Sequence, residues 1–245
     1  MKKIRYGIIG FGNFAERAIA PAIRGSKNSE LVAIQKRSLE AAKQRASEYH
    51  IPFAFDSVEK LVSHPEVDAV FIVSANSQHS VETIAAAKGG KHVLVEKPMA
   101  MSVREAEEMI SACKNAGVQL MVGHMVRLSP LVTRIKAVIQ SGLIGEVSAV
   151  KTEFVYNAGI SQRSWVFDQK VAGGGPLFDI GVHCLDTMRF ILDDEVVSVK
   201  SHLEPPPTKS RTESTATVLL RFSRNALGTI YCSYASPIRR SFIEI

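Results

Sequence analysis

The stretch Ile4-Arg5-Tyr6-Gly7-Ile8-Ile9-Gly10-Phe11-Gly12-Asn13-Phe14-Ala15 decides how this chain is read. Residues 4–10 form a short apolar run of buried-strand type, and residues 15–24 carry a helical pattern. Between them lies a G-x-G-x-x-A motif. Such a motif is weak evidence alone, but here it follows a strand and opens a helix near the start of the chain. In that setting Gly10 permits the tight turn, and Gly12 lets the backbone approach a pyrophosphate at the helix N-terminus. Ala15 keeps helix and strand close. Phe11, Asn13 and Phe14 complete the candidate cofactor loop. The plain alternative is a glycine turn with no ligand.

Working outward, strand-like runs at 31–35, 69–73, 92–95 and 118–122 alternate with helical patterns at 39–49, 80–88 and from Ser102 to near Gly117. Asp56 three residues before Glu59, and Ser102 three before Glu105, read as capping boxes. Strands alternating with helices imply a parallel sheet covered on both faces. From about residue 124 the pattern changes. A helix at 130–141 and an alternating strand at 147–155 precede Gly173-Gly174-Gly175, which leads into a helix over about 177–192. Strand-like runs follow at 196–203, 215–222, 227–234 and 241–245, with Pro205-Pro206-Pro207 a loop between two of them. The expected architecture is an α/β Rossmann domain over residues 1–123, followed by an α+β domain over 124–245 with a one-sided, mainly antiparallel open sheet. The last run reaches Ile245 without a turn or polar tail, so the second domain is expected to be incomplete at its end.

With 46% hydrophobic and 22% charged residues among 245, the composition is that of a soluble globular protein. The net charge of +6 comes from scattered Lys and Arg without interleaved aromatics, so no nucleic-acid partner is expected. A basic balance also suits a phosphorylated cofactor. Cys113, Cys184 and Cys232 are widely spaced, giving neither a CxxC metal pair nor a disulfide framework, and no metal is expected. The segment after Met1-Lys2-Lys3 is too broken for a signal peptide, and no apolar run approaches membrane-spanning length. A cytoplasmic protein without a membrane partner is the expectation.

Three further stretches carry chemistry. At the end of the second strand, where an acidic residue would hold a ribose 2′-hydroxyl, stand Gln35-Lys36-Arg37-Ser38. Lys36, Arg37 and Ser38 suit a 2′-phosphate, so NADP is expected over NAD, with NAD the alternative. The bland reading is a solvated basic turn. Glu96-Lys97-Pro98 follows a strand at the sheet end where open α/β proteins bind ligands. A lysine there can stabilise a developing alkoxide; alone, the tripeptide reads more readily as a surface turn. Asp179 and His183 are four apart on a predicted helix, so they share one face beside the glycine-rich stretch. A histidine oriented by a carboxylate suits proton transfer near neutral pH. The plain alternative is a capped helix with a satisfied histidine.

Together the motifs resemble the glucose–fructose oxidoreductase and inositol dehydrogenase family (Gfo/Idh/MocA). The pieces are Ser74-Ala75-Asn76-Ser77-Gln78-His79, Gly90-Lys91-His92-Val93-Leu94-Val95-Glu96-Lys97-Pro98, Val122-Gly123-His124-Met125-Val126-Arg127, and the GGG-x-x-x-D-x-G-x-H stretch with Asp186 behind it. The resemblance implies that Lys97, Asp179 and His183 form the catalytic group. It places Ser74, Ala75, Asn76, His79, Glu96 and Trp165 at the cofactor or substrate pocket, with Lys97 also beside the cofactor. Met125 departs from the polar residue many relatives carry there, and relatives continue past the point matching Ile245. The implied activity is hydride transfer between a nicotinamide and a hydroxyl or carbonyl carbon of a sugar, polyol, inositol or related polyhydroxy substrate. A homo-oligomer through the second-domain sheet is also implied. The rival reading is a non-catalytic nicotinamide-binding regulator of the same fold.

Overall fold

The computed structural model describes residues 3–160 and 163–245. The chain divides into two compact units, Met1–Gly123 and His124–Ile245. In the first, β1 (Ile4–Ile9), β2 (Ser29–Gln35), β3 (Phe53–Phe55), β4 (Ala69–Ile72), β5 (His92–Val95) and β6 (Leu120–Val122) form a six-stranded sheet in the order β3-β2-β1-β4-β5-β6. Every neighbouring pair is parallel. Alternation splits the core into two layers. Ile9, Val70 and Ile72 pack with Leu61, Ala86 and Met109 on one face, while Ile8, Ile34 and Phe71 pack with Phe11, Ala15 and Ile23 on the other. The chain leaves β1 toward β2 on one side and returns to β4 on the other. The crevice beyond the ends of β1 and β4 is therefore the switch point at which such sheets bind ligands.

The expected helix over 15–24 is divided. Ala15–Ile19 is a π-helical turn in which the Ala20 N–H reaches back to the Ala15 carbonyl, and an α-helix, Ala20–Gly25, follows. Pro21 is the cause: it has no N–H to give and its ring crowds the preceding turn, so the helix widens in front of it. The capping at 56–59 shifts by one residue. Ser57 accepts the Lys60 N–H, while Asp56 pairs with the Lys60 ammonium at 2.8 Å. At 102–105 the capping box forms with a displaced return bond. Ser102 accepts from Glu105 N–H, and the Glu105 carboxylate accepts from Met101 N–H.

The second unit holds β7 (Ala149–Asn157), β8 (Val196–Glu204), β9 (Thr215–Phe222), β10 (Leu227–Ser233) and β11 (Ala235–Glu244), in the order β11-β7-β10-β9-β8. The sheet is mixed, since β10 lies parallel to β7 and the other pairs are antiparallel. The reason is topological. The helix Val182–Leu192 carries the chain across the sheet from β7 to the far edge, and the meander β8-β9-β10 returns it beside β7 in the same direction. One-sidedness is clearest in β9, where Ala216, Val218, Leu220 and Phe222 are buried and Thr217, Leu219 and Arg221 are exposed. The buried side packs on Cys184, Met188 and Ile191 of the helix. Among the described residues no helix is long and apolar enough to cross a membrane.

Candidate active site

The cofactor loop is built from the end of β1 and braced by the end of β2. Gly10 has φ +82°, and a β-carbon there would stand 2.8 Å from the backbone N and Cα of Ser74. The position needs glycine for both reasons. The Gly10 N–H donates to the Gln35 side-chain oxygen at 3.2 Å, and the Phe11 N–H to the Gln35 carbonyl at 3.0 Å. Gln35 in turn donates its amide to the Asp56 carbonyl at 3.3 Å. Phe11 is buried, with its ring edge-on to Tyr49. Gln35 was not among the residues anticipated; its only signal was its place at the strand end.

Beyond this anchored part the loop is open. Gly12, Asn13 and Phe14 are exposed, and a β-carbon at Gly12 would have only the Gly10 carbonyl oxygen within 4 Å, at 3.8 Å. No packing within the protein requires glycine at position 12. A side chain there would occupy the open space in front of the helix's first turn. The residues present therefore fit a dinucleotide pyrophosphate.

The basic turn after β2 divides its work. The Lys36 ammonium donates to the Phe11 carbonyl at 2.6 Å and so ties the turn to the loop. Ser38 caps the helix Leu39–Glu48 by accepting the Ala41 N–H. Arg37 is exposed. Two of the three residues expected at a phosphate thus carry structural duties.

On the other side of the switch point, Ser74 and Ala75 follow β4, and Asn76, buried, opens the short turn Asn76–Gln78. The Ser74 hydroxyl donates to the carboxyl of Glu82, which burial raises to about 7. His79 is 1% exposed, with Nδ1 2.8 Å from the Pro98 carbonyl and Nε2 3.3 Å from the Ser74 carbonyl. Burial lowers its pKa, and a neutral ring can donate to only one of these two carbonyls. His79 was expected to line the pocket. It lies buried between the Ser74 turn and the Glu96-Lys97-Pro98 turn. In the latter, the Lys97 N–H donates to the Glu96 carboxylate at 3.2 Å, and the Lys97–Pro98 bond is cis. Lys97 and Glu96 are half-buried at the carboxyl end of β5.

In the second unit, Asp179 and His183 lie where a π-helical turn, Leu177–Gly181, passes into the helix Val182–Leu192, rather than on one regular helix. Asp179 is buried. It accepts from the Tyr156 hydroxyl at 3.0 Å and from Arg163 at 3.1 and 3.3 Å. Burial, then the Asp179 charge, pushes the Tyr156 phenol far above its ordinary range, so it stays a donor. The Arg163 guanidinium lies over the Trp165 ring, 5.0 Å from its centre, so Trp165 sits beside the Asp179 cluster. Tyr156 and Arg163 were not anticipated, because nothing local in sequence marks a partner 16 or 23 residues away. The His183 ring is half-buried and edge-on to His124, with centres 6.2 Å apart. His124 Nδ1 is 3.9 Å from the Asp186 carboxylate, which also takes the Arg127 Nε–H at 2.9 Å. Residues 124–127 and 183–186 thus meet in space. In the glycine-rich stretch the Phe178 ring lies against Gly174 and the Glu213 backbone against Gly175. Among the described residues no group of three or more His, Cys, Asp or Glu side chains is arranged to hold a metal.

Comparison with known proteins agrees with this geometry. Residues 4–124 match the model of the oxidoreductase family with an NAD-binding Rossmann fold, and residues 132–245 match the GFO/IDH/MocA C-terminal domain. A 1,5-anhydro-D-fructose reductase from Ensifer adhaerens is 37% identical over 191 residues, covering 78% of this chain and 57% of the reductase. The chain therefore spans little more than half the length of that relative. The aldose–aldose oxidoreductase of Caulobacter crescentus, solved with glycerol, superposes with a TM-score of 0.90 at 30% identity, covering 99% of this chain and 74% of that one. An oxidoreductase from Agrobacterium radiobacter, solved with NAD+ and L-tartaric acid, gives a TM-score of 0.88 at 26% identity, covering 99% and 71%. With both family models matched in order along its length, the chain belongs to the Gfo/Idh/MocA oxidoreductase family.

Proposed function

We propose that the chain carries an NADP(H)-dependent oxidoreductase activity on a CH–OH or C=O carbon of a sugar, polyol, inositol or related polyhydroxy substrate. The observation that carries the reading is the contrast within one loop. Gly10 is required by the protein's own packing, whereas Gly12 meets no such constraint and leaves the loop open to a ligand from outside. Gly10, Phe11, Gly12, Asn13 and Phe14 form the pyrophosphate cradle, with Ser74, Ala75, Asn76 and Glu96 bordering it. Arg37 takes the 2′-phosphate, supported by Lys36 and Ser38.

When bound, the nicotinamide supplies the hydride acceptor or donor, the step the protein itself cannot perform. The chain's residues handle the proton and the charge. In the oxidation direction Lys97 donates a hydrogen bond to the substrate hydroxyl oxygen and stabilises the alkoxide character it develops. His183 accepts the hydroxyl proton. Asp179 keeps the His183 ring oriented and favours its protonated form, and is itself held by Tyr156 and Arg163. Trp165, carrying Arg163 on its face, lines the substrate side.

Support for the substrate class comes from relatives named for sugar reduction and from a neighbour solved with glycerol. Self-association is assigned to the open face of the second sheet, where Leu219 is exposed between Lys200 and Thr229 in register; light scattering tests it. The reading as a whole is tested by titrating NADPH and NADH by nicotinamide fluorescence, then offering a panel of polyols and sugars with NADP+. Saturable NADPH binding with turnover of at least one polyhydroxy compound is expected. Tight binding with no turnover across the panel would favour the regulator instead.

A further inference from the structure

We infer that Glu213 is a positioning residue for Asp179 and His183, a buried carboxylate that fixes the turn from which both project. The inference rests on the proposed role of that pair. Glu213 lies in the segment before β9 and is 3% exposed. One carboxylate oxygen accepts the Gly175 N–H at 2.9 Å and the other accepts the Leu177 N–H at 3.1 Å. Pro176, between them, has no N–H to give. One side chain therefore takes both backbone donors that flank Pro176 at the entry to the Asp179 turn. Nothing but glycine fits at 175, since a β-carbon there would stand 2.0 Å from the Glu213 carbonyl oxygen.

The residues flanking Glu213 extend the same hold. Thr212, also 3% exposed, donates its hydroxyl to the Val166 carbonyl at 3.2 Å and its N–H to the Phe167 carbonyl at 3.4 Å. The Ser214 carbonyl accepts the Tyr234 N–H at 2.8 Å. Three consecutive residues thus grip the turn that carries Arg163 and Trp165, the turn that carries Asp179, and the strand end beside Tyr156. The 3.1 Å contact between Arg163 and Asp179 joins two of the elements so gripped. A carboxylate kept from water in this way is held by charge-assisted bonds, which are short and directional. Its effect on chemistry is exerted through Asp179 and not on substrate.

The test reads the His183 imidazole titration by NMR in the histidine-labelled full chain, which needs neither cofactor nor substrate. Asp179→Asn serves as the reference and should lower the His183 pKa by removing its carboxylate neighbour. Glu213→Gln removes a charge as well as a bond. Glu213→Asp keeps the charge but withdraws it by one methylene, so the Gly175 and Leu177 donors cannot both be reached. Both Glu213 variants should move the His183 pKa in the direction of Asp179→Asn by about half a pH unit or more. They should also shift the Gly175 and Leu177 amide resonances. Val218→Ala, a core change in β9 that lowers stability without touching the turn, should leave His183 unmoved. If only Glu213→Gln moves His183, the effect is long-range charge and the inference is overturned. If Asp179→Asn moves His183 and neither Glu213 variant does, the inference alone fails. If Asp179→Asn itself leaves His183 unmoved, the pairing in the proposed mechanism fails and the inference with it. Where Glu213→Gln does not fold, the comparison of Glu213→Asp with Asp179→Asn decides alone.

Discussion

Glu82 offers a prediction whose sign and size both follow from where it sits. Its side chain is 9% exposed in the helix His79–Lys88, hydrogen-bonded to Ser74 at the turn against which Gly10 packs. Burial raises its carboxyl from 4.5 to about 7, and the Ser74 hydroxyl only partly opposes this. Between those two values the folded chain binds more protons than the unfolded one, so stability falls as pH rises through the interval. The penalty is absent below 4.5 and complete above 7. A rise of that size corresponds to about 3 kcal/mol. Glu82→Gln keeps an acceptor for Ser74 and cannot ionise. At pH 5 the variant should match the wild type closely. At pH 8 it should be more stable by about 3 kcal/mol, which for a unit of this size is roughly 10 °C in melting temperature. Thermal melts of both proteins from pH 5 to pH 9 make the comparison. Parallel curves with no divergence above pH 6 would show that Glu82 ionises without cost and that the desolvation argument is wrong.

Two other perturbations separate roles within the site. Arg37→Ala should weaken NADP+ binding by roughly ten- to a hundredfold, the loss of one charged hydrogen-bond pair, and leave NAD+ binding nearly unchanged; calorimetric titration with each cofactor reads this. Lys36→Ala, which removes the tie to the Phe11 carbonyl, should instead weaken both cofactors alike. Arg163→Ala leaves the buried Asp179 with Tyr156 as its remaining donor of the two seen here. Because Arg163 is itself 42% exposed, the loss in urea denaturation should be about 1–3 kcal/mol rather than that of a fully buried pair.

Much of the first unit could be read from the chain because its signals are local. A strand, a glycine turn and a helix N-terminus are adjacent in sequence, so residues 4–15 announce both the fold and the ligand it takes. The π-helical turn at Ala15–Ile19 could also have been foreseen, since Pro21 forbids a regular helix through it. The parallel pairing of β7 and β10 could not be read from alternation, which fixes which face is buried but says nothing of strand direction. The division of work in the basic turn was likewise hidden. Lys36, Arg37 and Ser38 share a sequence neighbourhood, but only the fold puts the Phe11 carbonyl within reach of Lys36. In the second unit Asp179 and His183 stood out by spacing. The partners of Asp179, Tyr156 and Arg163, lie 23 and 16 residues away and Glu213 lies 38 from Gly175, so none left a mark in the linear pattern.

In the proposed activity Lys97 and His183 manage the charge and the proton of a hydride transfer. This assignment is tested most directly by single-substitution kinetics. Wild type, Lys97→Ala and His183→Ala would be compared by the appearance of reduced-cofactor absorbance on the best polyhydroxy substrate, with cofactor affinity measured in parallel. Each substitution should lower kcat by about 10²–10⁴-fold, with cofactor affinity nearly intact. A His183→Ala protein that turns over at the wild-type rate with an unchanged pH profile would contradict the assignment.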